Sequence, residues 1–448
     1  MAVLIGACLV TASCSKDWLD AKPDMKLTVP NKLVDYQYLL NNRSVFGTAM
    51  PALGELANDD YYLTYENWQA LSSVIDRNTY IWADDIYEEN RNSDWISAYS
   101  QILQANVVLD GIDKIDVSES EVNLYNNVKG QALFFRANCF YALTQLFCEP
   151  YVKEEATGKL GLPLKMSSEI TAVTTRSDLE TTYSRLINDL VLAAELLPDR
   201  QDYLTQPSRT AAMALLARIF LSMEDYPKAL EYANKVLAVK DDLMDFNALD
   251  VSLPYPIPLF NEEVIWHAEM RGSFNNTNLS GLVDTVLYQS YNKLDIRRNA
   301  FYFFRNGGFQ FKGNYRGTRL ELFCGLATDE VYLIAAECMA RSGQTSEALA
   351  LLQQLLIKRY RDGYVPTMNG LTGDDILRLI LNERRKELVF RGLRWSDLRR
   401  LRHDSRFSVT LTRQLNGTYY KLEPENKKYT FLIPPDEIRL SGIQQNPR

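Results

Sequence analysis

Residues 210–223 read TAAMALLARIFLSM and residues 226–238 read YPKALEYANKVLA, and these two runs decide the fold. Their apolar residues recur at helical spacing, and Glu224-Asp225 between them predicts a short turn. A second pair follows the same plan, with DEVYLIAAECMARSG at 329–343 and SEALALLQQLLIKRY at 346–360. Each pair has an Ala-rich first helix and a second helix that opens with Ala-Leu. The sequence therefore predicts repeated helix pairs.

Small residues on the first helix of a pair allow the second helix to approach closely, which is the packing of tetratricopeptide repeats. The same periodicity predicts further helices outside the two pairs. They are residues 31–40 with Asn31 as N-cap, 94–112, 121–147, 177–198 with a capping box of Ser177 and Glu180, and one long helix over 374–401. The predicted fold class is mainly α, a tetratricopeptide-like helical-repeat scaffold with irregular loops and a few short strands.

Long aromatic and polar stretches separate these helices, at residues 58–94, 270–320 and 404–433. Asn416-Gly417 predicts a hairpin in the third stretch. Loops of such length are usually functional, and exposed aromatic rings can stack on a ligand. The candidate ligand-binding residues are Asp60, Tyr61, Tyr65, Trp68, Tyr80, Trp82, Tyr288 and Tyr291. The alternative is that these rings pack beneath the loops.

Composition excludes several functions. The formal net charge is -8, which argues against nucleic-acid binding because that needs a basic face. With two His and six Cys, and no Cys pair at CxxC spacing, no metal site and no cofactor are expected. No nucleotide-binding, zinc-protease or serine-hydrolase motif is present, so no catalytic residue is assigned.

The N-terminus predicts export. Residues 2–13 read AVLIGACLVTAS, an apolar run too short to span a bilayer that ends in small residues before Cys14. Residues 1–13 are therefore a predicted lipoprotein signal peptide, which leaves Cys14 as the lipidation site and residues 14–30 as an extended tether. Cys8 is a rival lipidation site, and a buried N-terminal strand is the other alternative. A single domain is predicted over 31–448, with an N-terminal part 31–240 and a C-terminal part 241–448.

Several charged residues need an interpretation. Glu262 and Glu263 near His267 are expected at the surface, and Asp59-Asp60 and Asp84-Asp85 in solvated turns. The charged residues between 383 and 400 fall on several helical faces, so some of these charges must approach the core. We expect it to form a structural ion-pair network of Glu383, Arg384, Arg385, Glu387, Arg394 and Asp397. An anionic-ligand site is the alternative.

Six segments, in order, resemble SusD/RagB-type outer-membrane lipoproteins. The first is Cys14-SKDWLDAKPD, and the second carries Tyr183, Ile187, Asp189, Leu190, Ala194, Leu197 and Pro198. The third and fourth are SRTAAMALLARIFLSMEDYPKAL and NEEVIWHAEM. The fifth matches at Glu383, Arg384, Arg385, Glu387, Leu388, Gly392, Arg394, Asp397 and Leu398, and the sixth at Gln445, Asn446 and Pro447. Arg391 departs from the family, which has an acid or Gln there.

The resemblance implies a cell-surface lipoprotein of the outer membrane, held there only by its lipid anchor. Such a protein captures an oligosaccharide, or in some branches a peptide, and passes it to a SusC-like TonB-dependent transporter. It implies binding without catalysis. The alternatives are a helical-repeat lipoprotein that acts only in protein assembly, and a glycoside hydrolase, which is disfavoured because no carboxylate pair stands out.

Overall fold

Helix pairs form the framework of the protein. Its computed structural model describes residues 30–171, 173–270, 280–368 and 370–448. The predicted signal peptide, the tether up to residue 29 and Cys14 lie outside the described residues, and the division of the domain at residue 240 stays a prediction. The described α-helices are α1 Leu33–Leu40, α2 Leu53–Ala57, α3 Tyr65–Gln69, α4 Val74–Tyr80, α5 Ser93–Ile112, α6 Val122–Phe147, α7 Leu179–Leu196, α8 Arg209–Ser222, α9 Tyr226–Leu237, α10 Thr285–Ser290, α11 Arg297–Ala300, α12 Thr328–Arg341, α13 Thr345–Ile357, α14 Gly373–Glu387, α15 Arg394–Arg400 and α16 Pro435–Ser441.

Short antiparallel ladders accompany the helices. The strands of the described residues are β1 Tyr61–Tyr62, β2 Leu160–Pro163, β3 Arg176–Asp178, β4 Val264–Trp266, β5 Leu282–Val283, β6 Tyr302–Arg305, β7 Gly308–Phe311, β8 Leu326–Ala327, β9 Leu411–Leu415 and β10 Thr418–Leu422. They pair as β1 with β5, β2 with β3, β4 with β8, β6 with β7 and β9 with β10.

The helices stack in sequence order, as a repeat scaffold requires. Helix α6 packs between α5 and α7, α8 packs between α7 and α9, and α12 contacts α9, α13 and α14. Because α8 has neighbours on two sides, its small residues Ala211, Ala212 and Ala217 are fully buried. Both predicted helix pairs are present, and the predicted mainly α fold class is confirmed.

Two predicted helix starts are wrong. The N-cap of α1 is Lys32 rather than Asn31, and the Asp35 carboxylate accepts from both of their backbone N–H groups at 3.1 Å. The N-cap of α7 is Asp178, which accepts from Thr181 N at 2.7 Å. Ser177 lies in strand β3 instead, because pairing with β2 keeps the chain extended up to Asp178.

The predicted helix over 374–401 is two helices. The chain leaves α14 after Glu387 and turns through Phe390 and Gly392, whose φ angles are +59° and +76°. This left-handed backbone ends the helical hydrogen bonding, and α15 then packs against α2. Gly392 N donates to the Glu55 carboxylate of α2 at 2.7 Å, so the turn is tied to the N-terminal part of the chain.

The predicted hairpin at Asn416-Gly417 is confirmed. Strands β9 and β10 pair from Leu411↔Leu422 to Leu415↔Thr418, which leaves two residues in the turn. Their φ angles are +46° and +82°, as a type I′ turn requires.

Glu55 gives the stability of this fold a pH dependence. Burial raises its pKa to about 8, despite hydrogen bonds from Asn58 and Gly392. A carboxyl whose pKa is higher in the folded than in the unfolded chain favours folding most when it is protonated. Its contribution is complete below the ordinary pKa of 4.5 and is lost as pH rises through about 8. We expect Glu55→Gln to flatten this fall.

Urea unfolding at a series of pH values between 4.5 and about 8 gives the free energy of unfolding, and its slope against pH is the quantity compared. The exposed Glu66→Gln is the matched control and should follow the wild-type pH profile. Equal slopes for wild type and Glu55→Gln would contradict the assignment.

Candidate functional site

A two-residue ladder brings the first two long loops together. Tyr61 pairs with Val283 and Tyr62 with Leu282, and Asn67 Nδ2 donates to Ser280 O at 3.2 Å. Strand β5 also packs against β7 of the next hairpin. Residues 61–69, 280–291 and 302–311 therefore meet on one part of the molecule.

Two partly buried arginines hold the first of these loops to the scaffold. Arg394 Nε contacts Asp59 Oδ1 at 2.7 Å, and Arg385 Nε contacts Asp60 Oδ1 at 2.9 Å. Although burial opposes ionisation, the Arg394 and Arg385 guanidiniums hold the pKa of Asp59 below its ordinary value. The expectation that Asp59-Asp60 are solvated turn acids is wrong, whereas Asp84-Asp85 are exposed as expected. The acids fix where the loop begins, and Asp60 has no exposed carboxylate to offer a ligand.

Four of the candidate aromatic residues lie in the interior. Tyr61, Tyr80 and Trp82 surround the guanidinium of Arg413, whose carbon lies 5.3, 4.1 and 5.2 Å from their ring centroids. Tyr291 is 2% exposed and its hydroxyl donates to Lys386 O at 2.7 Å. In this conformation these rings stabilise the loops and present no open face to a ligand. For these four residues the structure agrees with the alternative interpretation, that the rings pack beneath the loops.

The other three candidates keep part of their rings at the surface. Tyr65 and Trp68 stack with centroids 5.9 Å apart, and Trp68 Nε1 donates to Arg77 O at 3.0 Å. Tyr288 stacks on Phe309 at 3.6 Å with an interplanar angle of 15°. These contacts fix the rings before any ligand arrives, so binding would cost little side-chain entropy.

The β6–β7 hairpin adds two rings that the sequence reasoning missed. Phe304 is 65% exposed and faces Phe309 across the ladder, with ring centroids 5.4 Å apart. The signal was the run FYFFRNGGFQF at 301–311, in which aromatic residues flank an Asn-Gly turn. We call the set Tyr65, Trp68, Tyr288, Phe304 and Phe309 the aromatic face.

Polar groups accompany the aromatic face. Asn67 and Gln69 lie on α3 beside Tyr65, and Arg298 lies over the Tyr288 ring at 4.8 Å. Flat apolar rings with amide and guanidinium groups around them suit a ligand that alternates C–H faces with hydroxyl groups. This arrangement supports the binding of a ligand of that kind at the aromatic face.

A cluster of buried carboxylates elsewhere could be mistaken for a metal or acid–base site. Oxygens of Glu263, Asp329 and Glu387 lie within 4.8 Å of one another. Arg359 contacts Glu263 and also contacts Glu387 at 2.7 Å, while Arg391 contacts Asp329 at 2.7 Å. Burial, opposed by Arg391, raises the pKa of Asp329 to about 7. The guanidiniums already neutralise this cluster, so its residues are best described as structural.

The six residues of the expected ion-pair network all form ion pairs. Arg297 contacts Glu383 and Glu387 at 2.6 and 2.7 Å, and Arg384 Nε contacts Asp397 at 2.9 Å. Arg385 and Arg394 hold Asp59 and Asp60 as described above. The network continues through Arg400 to Glu337, at 2.6 Å.

One further expectation about charged groups is wrong, that Glu263 lies at the surface. Glu263 and His267 are 0% and 1% exposed, and only Glu262 of this stretch lies at the surface. Burial on both faces of β4 removes the alternation that suggested a surface strand. Arg391, the departure from the family pattern, lies 3.8 Å over the Tyr315 ring and pairs with Asp329.

Comparisons with known proteins agree on one family. Residues 17–221 match a family model described as starch-binding, associating with the outer membrane, and residues 326–447 match the model of the SusD family. A SusD-like protein of Formosa agariphila is 26% identical over 421 residues, with 79% of each chain covered.

Solved structures share the fold. A SusD superfamily protein of Bacteroides thetaiotaomicron superposes with a TM-score of 0.75 at 22% identity, covering 93% of this chain and 100% of that one. A SusD-like carbohydrate-binding protein of Bacteroides vulgatus gives 0.69 at 20% identity, covering 92% and 97%. Within the residues described, no helix has the length and apolar content to cross a membrane.

Proposed function

The chain is a SusD/RagB-type protein, and from this premise we propose that it holds a glycan against its aromatic face. The observation that carries the proposal is the position of these rings. Loops far apart in sequence are joined by the β1–β5 ladder and fixed to the scaffold by Arg385 and Arg394, and they present pre-stacked rings at the surface. A sugar ring can lie against such faces while nearby amides bond its hydroxyl groups.

We further propose that the protein binds this glycan without cleaving it. Glycoside hydrolysis needs two carboxyl groups that flank the scissile bond. Within the described residues, the clustered buried carboxylates Glu263, Asp329 and Glu387 are each paired with an arginine and lie in the interior. The aromatic face is therefore proposed as a capture surface.

The proposal also covers the location of the protein and the protein that it binds. We propose that Cys14 carries the lipid, that residues 14–30 serve as the tether, and that the domain sits on the outer face of the outer membrane. Acyl chains on Cys14 would contribute about 0.8 kcal/mol per buried CH₂ group, enough for stable anchoring when more than one chain is present. The partner we propose is a SusC-like TonB-dependent transporter, which receives the captured glycan.

Affinity electrophoresis tests the capture step. The mature chain, residues 15–448, is run in native gels containing amylopectin, laminarin, xylan, galactomannan or dextran. We expect at least one polysaccharide to retard it and no reducing sugar to be released on incubation. A chain that migrates freely in every gel would contradict the glycan proposal, and binding to peptides of a protein digest would then favour the peptide alternative. Release of sugar would contradict binding without cleavage.

A further inference from the structure

A cleft with two aromatic residues at its rim lies outside the segments that carry the aromatic face. It is a cavity of about 260 Å³ between the α7–α8 connection and the segment that leads into β4. Its rim carries two exposed rings, Tyr203 at 67% and Phe260 at 45%. We call it the Tyr203 cleft.

Residues of one segment, Trp266 and His267, contact the backbone that follows Tyr203 and the ring of Phe260. His267 N donates to Leu204 O at 2.7 Å and Trp266 Nε1 donates to Thr205 O at 3.3 Å, which fixes the turn after Tyr203. The Phe260 ring lies edge-to-face on the buried His267 ring, with centroids 5.0 Å apart. The two aromatic turns are thus both in contact with the buried residue His267.

The backbone at Phe260 is unusual for a bulky residue. Its φ is +56°, the left-handed region that side chains with large rings rarely adopt. Asn261 Nδ2 donates to Pro258 O at 3.3 Å and closes the turn, and Pro254 and Pro256 stiffen the chain before it. A strained conformation that exposes an aromatic ring points to a role at the surface, because burial of the ring does not explain it.

Polar groups line the cleft between the rings. Arg200 and Glu262 are exposed at its wall. Gln201 Nε2 donates to Asn127 Oδ1 and Pro207 O, and Gln206 Nε2 donates to Asn41 Oδ1. These bonds orient both amides and use their NH₂ groups, so the amide oxygens can accept from a ligand hydroxyl.

We propose that the Tyr203 cleft is a second saccharide-binding subsite, which takes a pyranose unit of a neutral glycan between Tyr203 and Phe260. The donor and acceptor groups around the two exposed rings match the alternating C–H and hydroxyl surface of a sugar. The inference rests on the proposed function in that both sites take the same glycan. A long chain held at two points dissociates more slowly than one held at a single point.

Gel retardation of a double variant is the first test. Tyr203→Ala with Phe260→Ala is compared with wild type on the polysaccharides named above, and Tyr38→Ala with Tyr419→Ala is the control. Tyr38 and Tyr419 are 68% and 66% exposed, which matches Tyr203. We expect the Tyr203/Phe260 variant to bind the retarding polysaccharide at least about threefold more weakly, and the control to behave as wild type.

Calorimetric titration with short oligosaccharides of that polysaccharide is the second test, and its wild-type measurement does not depend on the folding of any variant. Two sites in wild type and one in the Tyr203/Phe260 variant are expected. A single site in wild type, or retardation equal to the control, would overturn this subsite and leave the proposed function standing. Free migration of wild type in every gel would overturn both.

Discussion

Replacing Arg297 with methionine is expected to destabilise the protein by about 3–5 kcal/mol. The Arg297 side chain is fully buried, and it contacts Asp295, Glu383 and Glu387 at 2.6–2.7 Å. Burial opposes the charge, yet these three carboxylates hold the pKa of Arg297 well above its ordinary value. Methionine would fill similar space and leave the three acids with only Lys386 and Arg359 as cationic partners in the interior, where an under-compensated charge is costly.

The urea midpoint and slope of unfolding measure this change. Arg305→Met is the matched control, because Arg305 is exposed on the β6–β7 hairpin and its loss should change stability by no more than about 0.5 kcal/mol. If Arg297→Met unfolds at the same urea concentration as the control, the ion-pair network does not stabilise the fold in the way we describe.

Removal of two rings of the aromatic face is expected to weaken glycan binding by about tenfold or more. Covering an aromatic side chain contributes roughly 1.5–3 kcal/mol, and a tenfold change in affinity corresponds to about 1.4 kcal/mol. Trp68→Ala with Phe304→Ala removes one ring from each of two joined segments. Phe304 is 65% exposed, so its substitution should leave stability nearly unchanged.

Affinity electrophoresis on the retarding polysaccharide gives the dissociation constants. Tyr291→Phe is the control that distinguishes a ring that contacts the glycan from a ring that supports the loop. Tyr291 is buried, and the substitution removes only the hydroxyl that donates to Lys386 O. That variant should unfold more easily and bind almost as wild type. Unchanged affinity in the Trp68/Phe304 variant would show that the glycan binds elsewhere.

Local patterns in the sequence were sufficient for the two helix pairs and the hairpin. Apolar residues at helical spacing placed α8, α9, α12 and α13, because an amphipathic helix must bury one face. Asn416-Gly417 placed the β9–β10 turn, because both residues must adopt positive φ. These features depend on neighbours within a few positions, which a sequence shows directly.

Features set by distant contacts were less predictable. The rings of Tyr61, Tyr80 and Trp82 face inward because Arg413, from strand β9 near the other end of the chain, lies between them. Glu263 is buried because Arg359 neutralises it. The break at Phe390 follows from the contact of Gly392 with Glu55. Composition pointed to loops rich in aromatic residues, but could not distinguish the rings that face solvent from those that support the loops.

Hydrogen–deuterium exchange of the mature chain, with and without the retarding glycan, tests the central claim most directly. It reports which backbone segments the ligand protects, without altering any residue. We predict slower exchange at residues 61–69, 280–291 and 302–311, the segments that carry the aromatic face. Protection confined to other segments, or no protection at saturating glycan, would contradict the account.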